Sequence, residues 1–473
     1  MAYAKINSIT NANMAKVNNA AKAALGKIGS IDAPSSDDAF TFTMNTENAG
    51  SATKTFVLPL VNDGSINFVV DWGDSSTDTI TAYNQAEITH VYSSTGIYTV
   101  KMEGTIRGFK FNWGGDKAKI LDISQWGDLN ITTDRAFADC TNLTCSATDS
   151  PTITTTSLLY CFYNCSSFNG DVSSWDVTSA TDLGAMFSGC TPFNADVSGW
   201  DVSNATSMSG MFYNCSSFNQ DLSSWDTSSC TSIGEMLYGT AFNQDIDAWD
   251  VSNVTNMGQT FRNCTSFNQS LNSWDTSSVQ YTNNMFQNCT SFNGNITSWD
   301  TSSCTNMQDM FHDCSAFNQD IGSWDVSSNQ RCQSMFRDCI AFDQDISSWD
   351  MGNVLYMNSM FQNAESFNQN IGGWDTSTCV NMSYVFRYAD AFDQNLGSWD
   401  ISAVTNMGNF MRDITISTAN YNAILIGWEG QSVVDGLSPH FGGSEYTGGG
   451  TAATARAALI ADHGWTITDG GTA

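Results

Sequence analysis

Cationic side chains are scarce in this 473-residue chain: 17 Lys and Arg stand against 48 Asp and Glu, a formal net charge of −31. So acidic a surface repels phosphate backbones and anionic lipid, which excludes nucleic acid as an expected partner. Lysine stops at Lys119, and beyond it the cations are a few arginines such as Arg262, Arg337 and Arg456. No apolar run is long enough to cross a membrane, so no membrane insertion is expected. A charged, then hydrophobic, then small-residue leader is also missing from the start. Enzyme signatures are absent: no His-Glu-x-x-His, no Gly-x-Ser-x-Gly, no phosphate-binding glycine loop, and four histidines in all, His90, His312, His440 and His463. Neither catalysis nor a cofactor is expected.

Fourteen cysteines are present, but no two have Cys-x-x-Cys spacing. Most fall into register with a longer pattern, as Cys165, Cys190, Cys215, Cys264, Cys289, Cys314 and Cys339 do, and later copies carry Ala364 and Ala389 in the same place. A small buried apolar position explains this better than disulfides or metal.

The pattern is a repeat of Trp-Asp pairs, from Trp175 to Trp399, spaced by 25 residues with one interval of 24. A fixed period in this range predicts a stacked array. In the copy FNQDIDAWDVSNVTNMGQTF, Trp249-x-Val251 has the period of two of a short strand with both side chains inward. Val254, Met257, Phe261, Cys264 and Phe267 follow at intervals of three and four, which predicts one face of a short helix with Ser252 at its N-cap. A single unit buries too little apolar surface to offset the cost of ordering it, so neighbours must stack, strand on strand.

Residues 37–115 alternate apolar and polar residues between turn signals, as a small antiparallel β-sandwich does. Trp72-Gly73-Asp74, His90-x-Tyr92 and Gly96-x-Tyr98-x-Val100 resemble the landmarks of the PKD family, which implies an immunoglobulin-like spacer without catalytic role, His90 being a structural corner. The run Met-Phe-x-x-Cys-x-x-Phe-Asn at Met211 to Asn219, followed by Trp-Asp-x-Ser, resembles the BspA-like leucine-rich-repeat surface proteins. That resemblance covers about residues 116–413 and implies a parallel strand ladder used in adhesion. Residues 414–473, with YNAILIGWEGQ, are similar to the terminal segment that closes such arrays. The expected class is therefore an α+β repeat solenoid preceded by a small all-β sandwich. Residues 1–36 carry an 11-residue repeat at Lys5-Ile6, Lys16-Val17 and Lys27-Ile28, read as a docking segment for other virion or surface proteins. This leader resembles N-terminal segments of tailed-phage structural proteins.

Ten aspartates form one column: Asp176, Asp201, Asp226, Asp250, Asp275, Asp300, Asp325, Asp350, Asp375 and Asp400. Stacked carboxylates repel, so each is expected either to accept the N–H two residues on, in an Asx turn, or to share cations such as Ca²⁺. The calcium-loop signatures are absent, which favours the turn. A second column, Asn169 through Asn368 with Asp343 and Asp393, is expected to hydrogen-bond between coils. Irregular copies introduce Glu235, Tyr238 and Glu365 as candidates for a specific site. The expected function is non-enzymatic adhesion to a host receptor or glycan, on the surface of a virion that is released without a secretory signal. A bacterial surface adhesin and a tailspike-like polysaccharide depolymerase are the alternatives, and a homo-oligomer is left open.

Overall fold

The computed structural model describes residues 38–473, so the docking segment expected at 1–36 lies outside the described residues. The chain opens with strands β1 (Phe40–Asn45), β2 (Thr55–Val57), β3 (Asn67–Asp71), β4 (Thr77–Ile80), β5 (Thr89–Val91) and β6 (Ile97–Thr105). Their sheet has the order β4-β3-β6-β1 and continues into β7 (Ile120–Gln125) and β9 (Thr144–Cys145), with β2–β5 as a separate antiparallel pair. β1 pairs antiparallel with both β6 and β7, whereas β7 and β9 run parallel, so the sheet changes from hairpin to stacked connectivity at β7. The parallel pair β8 (Asn130–Ile131) and β10 (Thr152–Ile153) opens a second ladder beside it.

Residue 115, where the sequence pattern changes, is therefore not followed by a linker. Asp116 and Lys119, both fully buried, fasten the junction: Lys119 Nζ donates to the Thr55 carbonyl at 2.7 Å and lies 3.3 Å from Asp116 Oδ1. Asp116 Oδ2 accepts the Val57 N–H at 2.7 Å. A buried charge pair is tolerated only when its remaining polar atoms are matched in this way.

From Ser157 the chain stacks on itself. Ten isolated parallel bridges join Ser157, Asp182, Ser207, Ser232, Asn256 and so on to Asn406, each residue to its equivalent one repeat later. The bridge thus falls at Asn256 in the quoted unit, not at Trp249-x-Val251 as the alternation predicted. Nor is there a helix after it. The N–H groups of Met257, Gln259, Phe261 and Asn263 donate to Tyr281, Asn283, Met285 and Gln287 of the next coil, at 2.8 to 3.0 Å. The intervening Thr260, Arg262 and Cys264 donate three residues back within the coil. Gln259 and Asn263 take φ of +60° and +65°, so the segment alternates right- and left-handed turns. Intervals of three and four therefore reflect tight turns that bring every third or fourth side chain inward, as a helix would. The α part of the expected class is confined to the C-terminal segment, in α1 (Thr418–Glu429) and α2 (Thr451–His463).

One hydrophobic core runs from Phe40 to Trp465. Successive Trp rings stack almost parallel, 6.5 Å and 1° for Trp249 on Trp274, and Phe261 lies 5.5 Å and 1° from Phe286. From Trp200 to Trp399 each indole also donates back one coil, as Trp274 Nε1 does to the Ile246 carbonyl at 3.0 Å. The closing segment extends the column with Trp428, whose Nε1 reaches the Leu396 carbonyl at 3.0 Å. Bridges Gly408↔Pro439 and His440↔Thr468 then add two last layers over the open end. Trp274→Ala removes a stacked ring and leaves the Ile246 carbonyl with the Trp249 N–H alone. It is expected to cost about 3 to 5 kcal/mol, read as a fall in thermal midpoint. A loss near zero would contradict a packed indole column.

Candidate functional site: the variable face of the stack

The aspartate column resolves into turns. Oδ1 of all ten accepts the backbone N–H two residues on, at 2.9 to 3.2 Å, and in Asp201, Asp250, Asp275 and Asp300 also the Ser Oγ–H, at 2.6 to 2.7 Å. These bonds stabilise the charged form: the Ser hydroxyl and N–H hold Asp201, Asp226, Asp250, Asp275, Asp325 and Asp375 below the ordinary carboxylate range. A second set, including Asp171, Asp196, Asp221 and Asp345, does the same five residues before each Trp-Asp aspartate and was not singled out from the sequence. The asparagine column is a continuous ladder. Asn169 Oδ1 accepts the N–H of Asn194, Asn194 that of Asn219, and so on through Asp343 to Asp393, each at 2.7 to 3.0 Å. Only an acceptor oxygen is used, which is why Asp substitutes for Asn.

The side that carries the bridges behaves differently. Bridge residues, and the positions two, three and six further on, change from coil to coil while the Trp, Phe and Asn columns hold. The bridge position reads Asn256, Tyr281, Asn306, Arg331, Tyr356, and the position six on reads Tyr213, Tyr238, Arg262, Gln287, His312, Arg337. Every cation between residues 136 and 413 lies here: Arg262, Arg331, Arg337, Arg387, Arg412 and His312. Several lie over rings, as Arg262 does on Tyr238 at 5.5 Å and Arg387 on Tyr388 at 4.6 Å.

Glu235 and Tyr238 both belong to this face. Glu235 Oε1 accepts from Gln259 Nε2 at 2.9 Å, and Tyr238 stacks on Tyr213 at 4.3 Å. Glu235 helps to line a cleft of about 660 Å³, between Tyr160 and Tyr281, floored by Gly210, Gly234 and Gly258. Glu365 is exposed and lies five coils from Glu235, about 24 Å at the usual strand spacing, so the two are not brought together. That separation exceeds what a glycosidase carboxylate pair uses.

Three overlapping stretches, residues 131–241, 235–347 and 310–424, match the family described as Mycoplasma protein of unknown function, DUF285. The chain belongs to this family. The matches cover well over half of it, in tandem, as a repeat protein requires. No curated protein and no solved structure matches the chain.

Among the described residues of this DUF285 chain, His312, Asp313 and Asp338 are the one His/Cys/Asp/Glu group close enough to share a metal ion. Cationic partners are already present: Arg337 Nε is 3.1 Å from Asp338 Oδ2, and His312 Nδ1 is 3.3 Å from Asp309 Oδ1. Burial alone would lower the His312 pKa. The hydrogen bonds to Asp309 and Asp338 and the charge of Asp313 outweigh it and push the imidazole up to about 9.

No disulfide forms in the DUF285 array; all fourteen cysteines are free and all but Cys145 are buried. Their role is more specific than filling space. Cys289 Sγ–H donates to the Phe261 carbonyl of the preceding coil at 2.9 Å, and Cys314 to Phe286 at 2.8 Å. Burial raises these thiols well above their ordinary pKa, which removes them as nucleophiles.

Two outcomes follow for the DUF285 array. Alkylation of the native protein, read by mass spectrometry, is expected to label Cys145 first and the others only on unfolding; early labelling of Cys289 would contradict the buried ladder. The His312 contribution to stability should be complete below pH 6.5, its ordinary value, and fade as pH rises through about 9. Thermal unfolding of the wild type and His312→Ala across this range should therefore converge at high pH.

Proposed function

We propose that the chain is a non-enzymatic recognition protein in which a leucine-rich-repeat-like solenoid presents its variable face to a receptor or glycan on a cell surface. One observation carries this reading. The bridge face varies between otherwise near-identical coils, and among its Ser, Gly and Asp residues it presents Tyr, Arg, His, Asn and Gln. Rigid aromatic and arginine anchors among adaptable amides and hydroxyls are the composition of binding surfaces.

The front module supports a PKD-type, immunoglobulin-like spacer. His90 stacks on Trp72 at 4.7 Å and lies 2.9 Å from Asp74, and Tyr92 OH donates to the Trp72 carbonyl at 3.0 Å, so the landmark residues form one corner. In this reading residues 1–36 attach the protein to a phage particle and the solenoid projects from it. A cell-surface adhesin would use the same face.

The test is binding of the purified protein to intact bacterial cells. Combined Arg331→Ala, Arg387→Ala and Arg412→Ala substitutions are expected to lower binding by about tenfold or more, whereas Asp226→Asn with Asp275→Asn should leave it unchanged. Equal binding by the arginine variant, or loss confined to the aspartate variant, would overturn the assignment of the face.

A further inference from the structure

We propose that the cleft between Tyr160 and Tyr281 binds a segment of an uncharged, hydroxyl-rich polysaccharide laid along the axis of the stack. The inference rests on the recognition reading above and names the ligand class of one part of that face.

The cleft exists because several consecutive coils omit side chains that the others carry. Ser209, Gly234 and Gly258 line it where later coils place Asn283, Gln308 and Gln333, and Ala185 and Gly210 where later coils place Asn284, Asp309 and Ser334. Its volume of about 660 Å³ lies in the range of small-ligand sites. The floor offers few free backbone groups, because Gly210 N–H already donates to the Gly234 carbonyl at 2.9 Å, and Glu235 N–H to Gly258 at 2.9 Å. Recognition falls to side chains. Tyr160 and Tyr163 meet edge to face at 5.3 Å at one end, Tyr213 flanks the middle, and Tyr281, 43% exposed, closes the other. Between them stand the amides of Asn256, Gln259 and Asn283 and the carboxylate of Glu235.

Charge and spacing select among ligands. Glu235 is the one charged residue lining the cleft, on a chain of net charge −31, so polyanions are repelled. A cationic peptide would meet a single carboxylate. Rings with amide, hydroxyl and carboxylate groups between them suit the mixed apolar and hydroxyl surface of a neutral sugar. Coils also rise about 4.8 Å each, close to the advance of one pyranose unit along a polysaccharide, so one sugar can meet one coil. An extended peptide advances about 3.3 Å per residue and falls out of step.

Isothermal titration of the full chain with uncharged oligosaccharides of increasing length tests this, alongside a polyuronate and a lysine-rich peptide. Affinity is expected to rise with length until the cleft is spanned, and neither charged polymer should bind there. Gly258→Asn restores the residue type of the next coil; the atoms nearest its Cβ would be side-chain amide atoms of Asn283 and Asn256, at 3.1 to 3.4 Å. It should abolish binding with an unchanged thermal midpoint, and Tyr281→Ala should weaken it by about tenfold. Two results overturn the proposal: no uncharged glycan binds while cell binding still depends on the face arginines, or a charged polymer binds and Gly258→Asn blocks it. The first leaves the recognition reading standing, whereas loss of cell binding as a whole would remove both.

Discussion

Each coil leaves half of its turn N–H groups without a partner of its own. Met257, Gln259, Phe261 and Asn263 are satisfied only by the next coil, and that coil repeats the demand. A buried backbone donor without an acceptor is costly, so the chain must keep stacking until something different ends the series. At the front this is a sheet that changes from antiparallel to parallel at β7. At the back it is α1, which brings Trp428 into the indole column, and Gln431, whose side chain accepts the Ile401 N–H at 2.8 Å and donates to the Trp399 carbonyl at 2.8 Å.

The same demand explains the left-handed residues. Two per coil hold positive φ, which costs energy for any residue with a Cβ. At the second of these positions Asn, Asp and Gly predominate, as at Asn263, Asn288, Asp313, Asp338 and Gly239, in keeping with their tolerance of this region. At the first, Tyr160, Ala185, Glu235, Gln259 and Tyr384 all occur. The ladder on both sides imposes the conformation there, and the side chain is free to vary. Backbone strain and surface diversity are thus located at the same residue.

Much of the array was legible in the sequence, because its columns arise from identical environments repeated at one period. Trp274, Phe261, Cys289 and Asn268 each occupy the buried or bridging place that periodicity assigned. Local geometry was less legible. Val254, Met257 and Phe261 have helical spacing, and a tight alternation of turns produces the same spacing, so only the destination of the N–H groups separates the two. Alternation is clearest beside Trp249, but pairing falls at Asn256, which has no apolar signature at all. Tyr281, Arg331 and Gly258 carry a different signal, disagreement between copies, which has no period of its own.

The separate hydrogen-bond set of each coil also determines how the array carries load. A pull along its axis meets the coils in series, and each can detach while its neighbours stay folded. One 25-residue coil drawn straight releases about 85 Å of chain. A tether of this design yields by paying out length in even steps, and the slack can be taken up again by restacking on the coil that remains.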